Sequence, residues 1–404
     1  MHTPCTAVWT MLVVLASLLG ACAAREGARA SGGASGGAPH AAAFAEPFGD
    51  LRLNQVQVIG SHNSYKIAPE PALLAIIETT SRNQAQAIDY THLRVADQLA
   101  LGLRNLEIDI CYDPDGGRYA TPLGNKLLAA SGATPKPFNA DGSLDTPGFK
   151  VIHDTDFDFR SHHHDFRGYL AEMRAWSAKN PRHEPVIVTM NCKTGKSRFP
   201  GGVDCADFTE PAFEQLDATV REHLGEAHLC TPDLVRGGAE TLEGAILSRG
   251  WPTIRELRGR FIFVLDEGGV KRERYVRGHP SLRGRVFFTT SDPGTPEAAI
   301  LIINDPVKDQ ARIRDLVSKG YVVRTRADAD TREARAGTRE RFEAAKACGA
   351  QVITTDYPIP DRKINPDYMV RFDDGGFVRE NPVTGAAGAT RAAGDSRIAR
   401  DEPR

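Results

Sequence analysis

The chain has 404 residues, 41% of them hydrophobic, enough to bury one large core or two modest ones. Its 50 lysines and arginines stand against 52 aspartates and glutamates, and no stretch concentrates the basic residues. A nucleic-acid partner is therefore excluded, because nothing in the chain forms a stripe that would neutralise phosphates along a duplex.

Residues 1–22 read as an export signal. The apolar stretch 7–19 is too short to span a bilayer and has the length of a signal-peptide core. It runs into Leu19-Gly20-Ala21-Cys22, which is similar to a bacterial lipobox with Cys22 as the lipidated residue and hence an N-terminal lipid anchor. The expected location is outside the cytoplasm, as a bacterial lipoprotein or a secreted or periplasmic protein. Residues 23–48 are rich in Ala, Gly and Ser, have too few large apolar groups to form a core, and are expected to act as a flexible tether. A single domain is expected over 49–373, followed by a disordered polar tail over 374–404.

Within the domain, apolar runs at 56–60, 103–111, 150–153, 185–193, 260–266, 285–290, 321–325 and 351–356 alternate with helical patterns at 85–100, 166–179, 210–224, 308–318 and 332–348. Eight strands alternating with helices predict an α/β fold, the (β/α)8 barrel. A ninth apolar run, 299–304, is either a barrel strand displacing one of the eight or an insertion.

Polar residues collect at the ends of these runs. His62 and Asn63 follow the first, Glu107 and Asp109 lie in the second, and His153 and Asp154 follow the third. Alternate residues of a strand face the same way, so Glu107 and Asp109 project together and repel unless a cation lies between them. An edge strand with two solvated acids would share this spacing, but Leu106, Ile108 and Ile110 make the opposite face apolar. Imidazoles suit proton transfer near neutral pH, and amide and carboxylate oxygens suit a hard divalent cation. These are the parts of a metal-assisted phosphodiester site. The plainer reading of either histidine alone is a structural hydrogen bond.

The stretch from Gln55 to Tyr65, which contains Ser61-His62-Asn63-Ser64, then Leu106-Glu107-Ile108-Asp109 and His153-Asp154, resembles the calcium-dependent phosphoinositide-specific phospholipase C family, especially its small bacterial and fungal branch. Further matches are Trp176 with Asn180-Pro181-Arg182-His183-Glu184-Pro185-Val186, then Arg324-Thr325-Arg326-Ala327-Asp328, and Thr355-Asp356-Tyr357-Pro358. The resemblance extends from about Leu51 to about Phe372. It implies hydrolysis of phosphatidylinositol or a related inositol phospholipid at a membrane surface, giving diacylglycerol and inositol phosphate.

By the same resemblance, His62 and His153 are the catalytic pair, with His62 assigned to the acid and His153 to phosphate contact. Asn63, Glu107 and Asp109 are expected to hold calcium, in preference to magnesium. The family commonly adds a glutamate on a further strand, where this chain has Asn191, an amide in place of an acid; Asp266 and Glu267 are the next candidates. Lys193, Arg324, Arg326 and Asp356 are expected to contact substrate. For the cations, internal ion pairs are an equally open reading, and Asp356 could instead be structural.

His162-His163-His164 cannot converge on one ion from consecutive positions and is expected to be a solvated loop. Of the 7 cysteines, Cys192 and Cys205 bracket a Gly-rich loop and are the favoured disulfide pair. Two other functions fit parts of the pattern. A glycerophosphodiester phosphodiesterase shares the Glu-x-Asp pair but usually opens with His-Arg-Gly, unlike His62-Asn63-Ser64. A catalytically inactive exported barrel could bind a sugar or lipid headgroup, but it would not need both histidines and both carboxylates.

Overall fold

The protein is described by a computed structural model over residues 48–385. The expected export signal with its lipobox, nearly all of the tether and the last part of the tail fall outside the described residues.

Ten strands form one sheet system: β1 (Val56–Ser61), β2 (Asn105–Asp113), β3 (Gly148–Val151), β4 (Val186–Lys193), β5 (Phe261–Leu265), β6 (Phe288–Thr289), β7 (Ile300–Ile302), β8 (Val322–Arg326), β9 (Val352–Thr355) and β10 (Val378–Glu380). The main path is β6-β5-β4-β2-β1-β9-β8-β7, with all neighbours parallel. A parallel bridge between Thr290 and Ile300 joins its two ends. The result is a nearly closed barrel of eight parallel strands with helices outside it.

The eight differ from the eight expected in one place. The run 150–153 belongs to β3, which pairs antiparallel with the far end of β2, Val151 opposite Ile110 and Gly148 opposite Asp113. At nine residues β2 is the longest strand, and its last four lie where β3 can pair with them. The barrel position goes to 300–302. A short apolar run paired antiparallel outside a barrel and one inside it look alike in sequence, so only pairing separates them.

Helices Phe166–Lys179 and Glu210–Leu224 match expectation; Asp165 and Thr209 cap them by accepting backbone N–H bonds. Two expected helices are broken. In place of 85–100 there are Arg82–Ala87 and Val95–Leu101, and the irregular residues between them carry Tyr90 and His92. In place of 332–348 there are Arg332–Ala336 and Glu340–Cys348, separated where Gly337 takes a φ of +66°. Beyond residue 373 the chain continues into β10, which pairs antiparallel with β1. No described helix is long and apolar enough to cross a membrane.

The close approach of β1 to β2 depends on Gly60. A Cβ there would lie 2.4 Å from Asn105 Cβ and 2.5 Å from the Asn105 carbonyl oxygen, distances that only displacement of β2 can relieve. Gly60→Ala is expected to destabilise the fold by roughly 1–3 kcal/mol, the usual range for overpacking. Denaturant unfolding measures this, and an unchanged midpoint would show that the two strands separate freely.

Candidate active site

Strand register builds the centre of the site. β1 and β9 run in parallel with Ser61 opposite Thr355, so the next residue of each, His62 and Asp356, leaves the barrel side by side. His62 Nδ1 lies 2.7 Å from Asp356 Oδ1, and the backbone N–H of His62 donates to the Thr355 carbonyl at 3.0 Å. On the ring's other side, Nε2 lies 3.6 Å from Glu107 Oε1. The imidazole is 15% exposed, whereas the Asp356 carboxylate is 1% exposed. Asp356 thus stands behind His62 as its buried partner.

Tyr90 and His92, from the irregular 88–94 segment, complete this corner. The Tyr90 hydroxyl is 3.4 Å from His62 Nδ1 and 3.1 Å from Asn63 Nδ2, and His92 Nε2 donates to the His62 carbonyl at 2.8 Å. Burial alone would raise the Asp356 carboxyl, but the charge and hydrogen bond of His62, with Arg326 nearby, bring it down to about 2. Arg326 lies 3.7 Å from Asp356 Oδ2 and donates through Nε to the Asp328 carbonyl at 3.1 Å. The internal ion pair open to Arg326 in the sequence is therefore made with Asp356, while the Asp328 carboxylate accepts from Thr355 and the Asp356 N–H.

Asn63 turns the chain out of β1 with a φ of +49°, a left-handed conformation that asparagine tolerates better than most residues. The following Ser64 N–H donates to the Glu107 carbonyl at 2.9 Å, which brings Asn63 against β2. There Glu107 and Asp109 face the barrel interior. The Tyr65 hydroxyl donates to Asn63 Oδ1 at 3.4 Å and lies beside Asp109.

Both carboxylates are matched by cations. Arg324 from β8 forms a buried ion pair with Glu107 Oε2 and also donates to Asn304. Lys193 Nζ is 2.7 Å from Asp109 Oδ2. Burial opposes ionisation of Asp109, but the charges of Lys193 and His153 and the hydrogen bond from Lys193 hold it below the usual carboxylate range. Lys193, also disfavoured by burial, is held above the usual lysine range by Asp109.

The register of β2 against β4 sets Asn191 opposite Asp109. Asn191 Nδ2 donates to the Asp266 carbonyl at 2.8 Å, which fixes the amide's orientation. Burial pushes the Asp266 carboxyl up to about 6 despite the nearby Arg324 charge. Glu267 faces elsewhere, accepting from the Cys192 N–H at 2.6 Å and pairing with Lys271.

His153 arrives from the end of β3, more exposed than His62 at 30%. Its Nδ1 is 2.8 Å from Asp158 Oδ2, and Asp158 Oδ1 accepts from buried Lys66 at 2.6 Å. The adjacent histidine triplet separates as expected. His162 donates to the His92 carbonyl, His163 meets Glu172, and His164 meets the Phe159 carbonyl, so all three are tied to the protein instead of solvated freely.

The donor chemistry fits a hard cation. Asn63 offers an amide oxygen, Glu107 Oε1 is left outside the Arg324 pair, and Asp109 Oδ1 is buried without a hydrogen-bond partner. An orphaned buried carboxylate oxygen costs free energy unless a cation meets it. Among the described residues no three His, Cys, Asp or Glu side chains converge as a metal cluster, because two of the four candidate ligands are amides.

A comparison with protein families matches residues 51–382 to phosphoinositide phospholipase C, Ca2+-dependent. The chain belongs to this family. Its members are phosphodiesterases, and so this protein is a phosphoric diester hydrolase. In structure it is similar to the calcium-dependent phosphoinositol-specific phospholipase C of a Pseudomonas species, at 14% identity and a TM-score of 0.49, with 85% of this chain and 100% of that one covered. It is also similar to the Ca2+-dependent phosphatidylinositol-specific enzyme of Streptomyces antibioticus, at 18% identity and 0.45, with 76% and 94% covered. A glycerophosphoryl diester phosphodiesterase of Parabacteroides distasonis gives 12% identity and 0.32, with 82% and 94% covered. No curated protein matches the chain by sequence.

Buried ionisable groups around the family site pull stability in opposite directions. Burial holds His92 down at about 4, against an ordinary 6.5, despite the opposing charge of Asp356. The unfolded chain therefore takes up a proton between pH 6.5 and 4 that the folded chain does not, so the contribution of His92 is complete above 6.5 and is lost toward 4. Asp266 and Asp328, raised by burial to about 6 and 7, have the opposite slope. His92→Gln, which keeps a donor, is expected to gain Tm relative to wild type as pH falls from 7 to 4.5. Calorimetry at several pH values measures it, and parallel curves for the two proteins would mean that His92 is protonated in the fold.

Proposed function

We propose that this enzyme cleaves phosphatidylinositol, or a related inositol phospholipid, at a membrane surface, and that calcium is its resident cofactor. The observation that carries the reading is the His62 imidazole held between Asp356 and Glu107, inside a family of calcium-dependent phosphoinositide phospholipases C. Asn63, Glu107 and Asp109 would hold the ion, with Asn191 beside them. When bound, it supplies positive charge against the phosphoryl oxygens.

The residues of the chain do the rest. Asp356 fixes one ring nitrogen of His62, so that Nε2 faces the substrate and moves the proton. As the departing glycerol oxygen gains charge, His62 gives that proton to it, and Asp356 stabilises the imidazolium beforehand. Glu107 Oε1 is placed to take the inositol hydroxyl proton. His153, oriented by Asp158, donates to a phosphoryl oxygen, and Lys193 and Arg324 add charge nearby. On sequence grounds we place the enzyme outside the cytoplasm, attached through Cys22.

His62→Ala and His153→Ala are each expected to lower turnover on phosphatidylinositol vesicles by about a hundredfold or more, with circular dichroism unchanged. Chelation should lower activity in the wild type. Activity within a few-fold of wild type in either variant removes that histidine from the mechanism. Preference for water-soluble glycerophosphodiesters over the vesicles would assign the barrel to a different substrate.

The four side chains Glu107, Asp109, Arg324 and Lys193 together carry no net charge, so attraction for a divalent ion is modest. Asn191→Glu, set opposite Asp109, is expected to tighten calcium binding, and Asn191→Leu to weaken it, by isothermal titration. Equal affinities in all three proteins would put residue 191 outside the coordination sphere and turn attention to Asp266.

A further inference from the structure

The loop after β4 leaves the barrel at Lys193 and returns at Cys205, where an antiparallel bridge closes it, the Cys205 N–H donating to the Gly195 carbonyl at 2.9 Å. Cys205 Sγ lies 3.8 Å from Cys111 Sγ, on β2 two residues beyond Asp109. The pair expected from sequence, Cys192 with Cys205, is not formed. Strand alternation explains why. Cys111 stands opposite Lys193 in the β2–β4 register and faces the loop's side of the sheet, whereas Cys192, one residue earlier, packs with Ile110 in the core between barrel and helices.

We propose that Cys111 and Cys205 are a disulfide-forming pair whose closure clamps the 194–206 loop onto β2. The two thiols already touch, and about 2 Å of approach converts contact into a bond. The loop is also tied to the segment that follows His153. Asp156 accepts from Ser197 and, at 2.9 Å, from the Val203 N–H, and Thr155 donates to the Val203 carbonyl at 2.8 Å. A clamp at Cys205 therefore also restrains residues 155 and 156.

The chemistry requires a small-molecule disulfide as oxidant. Cys205, half-buried and so the accessible member, loses its proton and attacks one sulfur of the donor, releasing a first thiolate and leaving a mixed disulfide. Cys111 then displaces the second thiolate, and the two protein protons end on the two released thiols. The geometry favours this order. Cys205 can be reached from solvent, whereas Cys111 is fully buried on β2 and can only follow.

The full-length protein, purified under reductant, is exposed to oxidised glutathione and alkylated without reduction. Peptide mapping should show a single 111–205 crosslink, with Cys192, Cys230 and Cys348 alkylated on denaturation. Tm should rise by about 5 °C, as expected for a bond that joins cysteines 94 positions apart. Trypsin cleavage at the exposed Lys196 and Arg198 should slow severalfold on oxidation. Cys205→Ser should abolish all three changes and Cys192→Ser none. Free alkylation of both thiols after oxidation, or a crosslink from Cys205 to Cys192, overturns the proposal.

Discussion

The rest of the structure turns on the two-residue period of β2. Held between β1 and β4, it sends Leu106, Ile108 and Ile110 outward to the helices and Glu107 and Asp109 inward. No rearrangement short of a register slip can move the acids elsewhere, and a slip would bury them in the helical layer. Two carboxylates facing one another's neighbourhood in a barrel lose hydration that only positive charge can replace. Arg324 from β8 and Lys193 from β4 replace it, each reaching in from a different strand. The fold thus brings its basic and acidic groups together because the same alternation places both on the inner surface.

The two histidines solve the same problem with different supports. Each has a buried carboxylate at Nδ1, Asp356 for His62 and Asp158 for His153. The first pair descends directly from the register of two barrel strands and inherits their rigidity. The second depends on the antiparallel pairing of β2 with β3 and on Lys66, whose ammonium also donates to the Ile88 carbonyl at 2.7 Å. Lys66 lies just past the Asn63 turn, so the support of His153 is tied back to the strand that carries His62. A displacement of either element is felt at both imidazoles.

Much of this was legible in the sequence wherever the signal was local. Apolar runs gave the barrel, and the Glu107-Ile108-Asp109 spacing predicted a shared face, because both depend on the period of a strand. What depended on pairing was not legible. The 150–153 run reads like any barrel strand, and its antiparallel role appears only when Val151 is seen opposite Ile110. Cys192 and Cys205 are close in sequence, but strand alternation turns Cys192 away. Tyr90 and His92 lay inside a helical pattern, and nothing local showed that the helix would break to deliver them. Lys66 and Asp158 are hidden in the sequence for a similar reason: an ion pair between residues 92 positions apart leaves no local signature.

Charge balance at the barrel mouth also ties together the binding of cation and substrate. With Glu107 on Arg324 and Asp109 on Lys193, neither a divalent cation nor a phosphodiester meets a strong uncompensated field. Under the proposed function, a cation held by Asp109 Oδ1 and Glu107 Oε1 would compete with the two basic side chains for their carboxylates and leave those side chains less fully neutralised. An anionic phosphate gains from that change. Conversely, a phosphate that engaged Arg324 or Lys193 would loosen the ion pair with the carboxylate and favour the cation. The coupling is reciprocal by thermodynamic necessity, so each ligand raises the other's affinity by the same factor. On that reading, a barrel whose inner charges are paired in advance would bind both partners together better than either one alone.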